Sequence, residues 1–308
     1  MISNFKDGMM VSGQFLVATV SKSINNLGSF YLNVELRDAS GSISAKKWDV
    51  SPEDEDIFVV GNVVALNGEV VKYRDSLQFK ILKASLVDLD HIDFDNLLTP
   101  PPIPKEELEK RFYSYVDSIQ DKDCKALLDY FIKKYESKIF VYPAGVSVHH
   151  EYSSGLITHL TSMAELGDFL ASKYAPVNRD LLITGILLHD IGKVVELEGP
   201  AVFHYSTEGR LLGHISIMVS EIRLAAQELN IQSETPLLLE HMVLSHHDKP
   251  EFGSPVPPLT KEALLLTLID NMDSKMAIVT KALETVKEGE FTQKIFPLDG
   301  RMFYKPHN

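Results

Sequence analysis

Leu181-Leu182-Ile183-Thr184-Gly185-Ile186-Leu187-Leu188-His189-Asp190-Ile191-Gly192-Lys193 is nearly all apolar until an imidazole and a carboxylate close it. The length and composition of the run predict a buried helix over 178–190. Burying a histidine and an aspartate without partners costs several kcal/mol. Asp270 poses the same problem inside the apolar run Ala263 to Ile269. A divalent cation solves both. Mixed imidazole and carboxylate donors suit Mn²⁺, Fe²⁺, Co²⁺, Ni²⁺ or Zn²⁺, whereas Mg²⁺ and Ca²⁺ prefer oxygen shells. Of the 11 histidines all but His91 follow residue 104, and the candidates fall in the order His159, His189-Asp190, His214, His246-His247, Asp270.

Working outward, the helical period extends through Leu108, Phe112, Val116 and Ile119 and through Leu127, Leu128, Phe131 and Ile132. Helices are predicted over 105–118, 122–136, 156–174, 178–190, 213–229, 235–247 and 260–285, with Asn178, Ser233 and Thr260 as caps. The tail from Gly289 onward has no clear period, and its aromatic and basic residues suggest a packed extension. Ahead of the helices lies Leu97-Leu98-Thr99-Pro100-Pro101-Pro102-Ile103-Pro104, a proline-stiffened spacer. Before it the texture is β-branched and alternating. Strands are predicted at 11–22, 29–38, 41–48, 61–73 and 76–87, with the acidic segment Ser51 to Asp56 as one helical turn after the third. Five strands with that insert suggest an OB-fold barrel. The domain organisation is therefore a barrel over 1–90, a linker over 91–104 and a helical domain over 105–308.

Composition limits the rest. The 308 residues carry 30 Lys+Arg against 43 Asp+Glu, a formal charge of -13. Clamping nucleic acid with a generally basic surface is excluded, so any such site is local. The apolar runs are shorter than the ~20 residues of a membrane span. No secretory leader is evident at Met1 to Met10, and the single Cys124 fits a reducing compartment, so a cytoplasmic protein with no membrane partner is expected.

The ordered His/His-Asp/His/His-His/Asp pattern resembles the HD superfamily of metal-dependent phosphohydrolases. His149-His150-Glu151-Tyr152-Ser153-Ser154-Gly155-Leu156-Ile157-Thr158-His159 narrows the likeness to HD domains that carry an N-terminal OB-fold, the YhaM-type 3′-to-5′ exoribonucleases. That resemblance implies an all-α HD domain in which Asp190 bridges two metals. One would be held also by His159, His189 and Asp270, and the other by His214, His246 and His247. His189, Asp190, Lys193 and Asp270 would carry catalysis, with one or two ions, Mn²⁺ foremost. The implied substrate is single-stranded RNA, with single-stranded DNA beside it, and the products are nucleoside 5′-monophosphates. Closed rings among relatives make a homo-oligomer an expected assembly. His149 and His150 would contact phosphate or serve as structural hydrogen-bond partners. His247 is either ligand or hydrogen-bond partner to one. Asp273 reads as a helix-face or supporting carboxylate. Lys193 reads as a phosphate ligand or a solvated helix end.

On the barrel, alternation predicts Phe30, Leu32, Val34 and Leu36 on the core face and Tyr31, Asn33 and Arg37 opposite. Tyr31, Lys46, Trp48 and Tyr73, with Arg74 and Lys80 nearby, are the candidates for holding a strand, although a sole tryptophan is equally at home in a core. Nine Lys and Arg face twelve Asp and Glu over residues 1–90, so strand binding there is expected to be modest and salt-sensitive. Two other functions fit parts of the pattern. One is a phosphohydrolase of a small nucleotide or cyclic dinucleotide, with the barrel as scaffold or docking module. The other is a nucleic-acid-binding regulator whose metal is structural.

Overall fold

The computed structural model describes residues 1–25, 28–74, 76–88, 91–92, 94–97, 103–144, 154–199 and 203–307. Two compact units result, Met1–Pro100 with Leu197–His204, and Pro101–Glu196 with Tyr205–Asn308. His149, His150, the prolines at 100–102 and the turn residues Asn26, Leu27 and Asp75 lie outside the described residues.

In the first unit, β1 (Met10–Ile24), β2 (Phe30–Asp38), β3 (Gly41–Trp48), β4 (Val63–Tyr73) and β5 (Ser76–Leu86) close a barrel in the order β1-β2-β3-β5-β4. Only the β3–β5 pairing is parallel. That order, with α1 (Pro52–Ile57) between β3 and β4, is an OB-fold. Alternation places Phe15, Val17, Leu32, Val34, Leu36, Phe79 and Ile81 inside. The helix α1 is set by a capping box in which Ser51 and Asp54 satisfy each other's backbone N–H. Lys47 also pairs with Asp54 at 3.1 Å, and Phe58, just after α1, is buried in the barrel core.

Phe30 departs from expectation. It is 49% exposed, at the open end of β2 opposite Ile24, itself 60% exposed, where the strand has run past the core. Lys22 instead caps its ring at 4.5 Å.

Closure depends on a break in register between Asn67 and Gly68, where β4 meets β5. A Cβ on Gly68 would lie 2.3 Å from the Lys80 carbonyl oxygen and 2.7 Å from the Phe79 ring. Gly68→Ala is therefore expected to destabilise the barrel by about 1–3 kcal/mol, the usual cost of overpacking. Urea denaturation of the full chain checks this; an unshifted barrel midpoint would show that the bulge accommodates a Cβ.

The second unit is built from α3 (Lys105–Ser118), α4 (Lys122–Ile139), α5 (Gly155–Lys173), α6 (Arg179–Leu188), α7 (Lys193–Glu196), α8 (Thr207–Glu228), α9 (Thr235–Ser245) and α10 (Lys261–Glu284), after the short α2 (Phe94–Leu97) at the end of the barrel unit. Every residue from Leu181 to Leu188 is buried, which makes α6 the central helix, packed by α4, α5, α9 and α10. Each such Leu or Ile stabilises the fold by about 1.5–3 kcal/mol relative to an exposed one. Asn178 and Thr260 cap α6 and α10 by accepting from the Leu181 and Ala263 N–H groups. Ser233 falls outside its helix, whose N-cap is Glu234. The helix expected from 213 starts at Thr207 instead, because Gly213 (φ 71°, ψ 153°) interrupts it and an apolar period read across that break is lost. The tail has one short 3-10 turn, Phe296–Leu298. Bridges Phe291–Tyr304 and Ile295–Arg301 fold it back on itself, and the Lys305 ammonium donates to the Leu283 and Val286 carbonyls at the end of α10.

Candidate metal centre and nucleic-acid interface

The end of α6 carries His189 and Asp190 into the interior, where α5 supplies His159, α8 His214, the end of α9 His246 and His247, and α10 Asp270. His159, His189 and His246 are fully buried, and Asp190 is 2% exposed. The two oxygens of Asp190 face different partners. Oδ2 lies 3.7 Å from His159 Nε2 and 3.5 Å from His189 Nε2, whereas Oδ1 lies 3.4 Å from His214 Nε2 and 4.0 Å from His246 Nε2. Asp270 Oδ1 is 3.4 Å from His159 Nε2.

Each of the five imidazoles has its Nδ1 engaged. His189 donates to the Ile186 carbonyl at 2.7 Å, His246 to that of Val243 at 2.6 Å and His247 to that of Phe252 at 2.7 Å. His159 Nδ1 meets Asp273 Oδ2 at 2.7 Å, and His214 Nδ1 meets Glu196 at 3.1 Å. Tying Nδ1 turns the other nitrogen inward, with its lone pair available wherever the ring is neutral. Burial pushes the His189, His246 and His247 imidazoles below the ordinary histidine range, which keeps them neutral, as metal ligands must be. Burial opposes the charged form of His159 too, but Asp270 and Asp273 outweigh it and raise that imidazole to about 9. Burial likewise disfavours the two carboxylates. Lys193 and the surrounding imidazoles hold Asp190 far below the carboxylate range, and His159 does so for Asp270.

The donor set passes a simple test for a divalent cation. His189 Nε2, His214 Nε2, His246 Nε2 and Asp190 Oδ1 are buried with no hydrogen-bond partner. Leaving such atoms unsatisfied costs about 1–3 kcal/mol each. Their ligand atoms gather within 4.8 Å as His159–His189–Asp190, His189–His246–Asp270 and His214–His246–His247. Bound divalent cations would satisfy these groups at once.

Lys193 is not a solvated helix end. It is buried, and its ammonium donates to Asp190 Oδ2 and to the Ala144 carbonyl, both at 2.7 Å. Asp273 supports His159 and accepts from Ser162. His241 accepts from the Leu259 N–H and His204 is exposed near Glu198, so both stand apart from the centre. Glu196 was missed in sequence. A carboxylate in the run Ile191 to Leu197 posed the same burial problem as Asp190, and that was its signal.

On the barrel, Tyr31 and Trp48 are cross-strand partners on β2 and β3 and stack with ring centroids 4.6 Å apart. Lys46 places its ammonium 5.1 Å from the Tyr31 ring, 5.4 Å from Trp48 and 5.8 Å from Tyr73. Arg74 lies 5.4 Å from Tyr73 at the β4–β5 turn. Trp48 is 37% and Tyr73 51% exposed, so this is a surface platform and not a core. Aromatic faces around fixed cations suit unpaired bases and their phosphates.

Residues 156–275 match the HD domain family. Over 306 residues the chain is 44% identical to the 3′-5′ exoribonuclease YhaM of Geobacillus sp. (strain WCH70), covering 99% of this chain and 94% of that one. Among solved structures, a domain of replication protein A from Methanococcus maripaludis is 20% identical over 28% of this chain and 92% of its own, with a TM-score of 0.25. An asparaginyl-tRNA synthetase from Entamoeba histolytica is 13% identical over 75% of this chain and 58% of its own, also at 0.25.

Proposed function

This chain belongs to the YhaM family of HD-domain 3′-5′ exoribonucleases, and from that premise we propose that it shortens single-stranded RNA from the 3′ end, releasing nucleoside 5′-monophosphates. The observation that carries the reading is the divided carboxylate of Asp190, with one oxygen toward each of two histidine clusters. Residues His159, His189 and Asp270 would hold one ion and His214, His246 and His247 the other, Asp190 serving both. Bound divalent ions, Mn²⁺ foremost, would supply an activated water and neutralise charge on the phosphoryl oxygens during in-line displacement.

The chain's own part is positional. Backbone carbonyls and carboxylates hold Nδ1 of all five imidazoles, so the rings stand oriented for an ion without reorganisation, and His159, kept charged by Asp270 and Asp273, would give up its Nε2 proton on binding one. Lys193 fixes the Asp190 oxygen it touches and offsets its charge in a buried setting. The barrel platform of Tyr31, Lys46, Trp48 and Tyr73 holds the unpaired strand, and single-stranded DNA presents it with equally stackable base faces and the same phosphates. We place the activity in the cytoplasm, where the buried thiol of Cys124 stays reduced. Among the described residues no helix is long and apolar enough to cross a membrane.

A time course on 5′-labelled single-stranded RNA with Mn²⁺ tests the activity. A ladder that shortens from the 3′ end and stops on adding EDTA supports it. RNA that is bound but survives every metal would instead favour a binding regulator or a small-nucleotide phosphohydrolase. For the platform, Trp48→Ala is expected to weaken binding of a single-stranded oligonucleotide by about tenfold, near the low end of the ~1–3 kcal/mol that one stacked base contributes. Fluorescence anisotropy measures it, and wild-type affinity in the variant would move the interface elsewhere.

A further inference from the structure

We propose that Glu196 is the positioning residue for the second metal position, so that the His214–His246–His247 cluster can be emptied while the cluster around His159, His189 and Asp270 stays filled. The inference rests on the two-ion reading above.

His214 differs from its neighbours in how it is held. The side chains of His159, His189 and His246 are wholly buried, and two of the three donate Nδ1 to carbonyls of the preceding helical turn, which no side-chain substitution removes. His214 is 12% exposed and follows the break at Gly213, where α8 has lost its regular backbone. What fixes it is Glu196. One carboxylate oxygen accepts from the His214 backbone N–H at 3.0 Å, and both lie 3.1 Å from Nδ1. The same group therefore sets the position of the backbone, the tilt of the ring and the tautomer that leaves Nε2 facing Asp190.

The surrounding backbone is shaped around this clamp. A Cβ on Gly192 would stand 2.4 Å from the His214 carbonyl oxygen, and one on Gly209 would stand 2.2 Å from that of Glu196. The segments Gly192–Glu196 and Gly209–His214 thus approach backbone to backbone at these two glycines, which leave no room for a side chain at either position. On the other side of Asp190, the corresponding carboxylate is Asp273 on His159. Each cluster accordingly has its own histidine–carboxylate pair.

The test is a Mn²⁺ titration of the full chain by calorimetry, with bound metal counted by elemental analysis and the paramagnetic resonance spectrum recorded. The wild type is expected to hold two ions that couple magnetically. Glu196→Gln is expected to keep one ion at wild-type affinity, to bind the other about 10- to 100-fold more weakly, and to show an isolated-ion spectrum. Glu196→Asp, too short to reach both the ring and the backbone N–H, should lose the same ion and guards against a folding artefact in the first variant. Asp273→Asn should weaken the opposite position. A folded Glu196→Gln protein that binds both ions normally, or loses both together, overturns the inference and leaves the two-ion reading standing. A wild type that binds a single ion overturns both.

Discussion

Asp190→Ala is expected to abolish RNA shortening, with a fall in rate of at least about 1,000-fold, or roughly 4 kcal/mol of lost transition-state stabilisation. The size follows from its position. No other carboxylate among the described residues places one oxygen toward His159 and His189 and the other toward His214 and His246. Removing it would take a donor from both proposed metal positions at once and leaves the buried Lys193 ammonium without its counter-charge. Breaking a buried ion pair from one side costs about 3–5 kcal/mol in stability, so the variant should also melt earlier. Asp190→Asn separates the two effects, since it keeps the volume and a hydrogen-bond acceptor. The asparagine variant should remain folded by circular dichroism and still be inactive. Substantial residual cleavage with Mn²⁺ would show that Asp190 is not the shared ligand.

Chelation is expected to lower the melting temperature of the helical unit by about 10 °C relative to saturating Mn²⁺. A ligand held at about 1,000 times its dissociation constant stabilises the folded state by roughly 4 kcal/mol, and each kcal/mol moves a unit of this size by about 2–4 °C. The physical basis is the set of inward-facing atoms of His189, His214, His246 and Asp190 that lack hydrogen-bond partners in the protein. Helical circular dichroism of the full chain, scanned with EDTA and with Mn²⁺, gives the shift. The barrel, whose core contains none of these donors, should respond much less. Identical melts in both conditions would mean that the cluster binds no ion.

Local sequence carried much of this protein. Alternating side chains placed all five strands to within a few residues, because period two is dictated by the pleat and does not need the partner strand to be known. The apolar run at 181–188 announced a central helix, and the histidines and aspartate interrupting such runs announced a metal site, because a polar group there has no other inexpensive fate. The errors sit where local pattern is silent. Gly213 hid the true start of α8, since a single left-handed residue disrupts the helical period without changing composition. Phe30 continued the inward alternation but lies beyond the end of the core.

The types and order of the candidate ligands, the OB-fold barrel and the helical class were thus settled by sequence alone, through periodicity and the cost of burying charge. Only tertiary structure decided how the donors divide. Helix packing turned one Asp190 oxygen toward each cluster, drew Lys193 inward from a helix end and brought Glu196 to His214 across 18 residues of chain, while the register of β2 on β3 placed Trp48 on the surface against Tyr31. Such pairings depend on the distances between elements remote in sequence, and those distances exist only after the cores have closed.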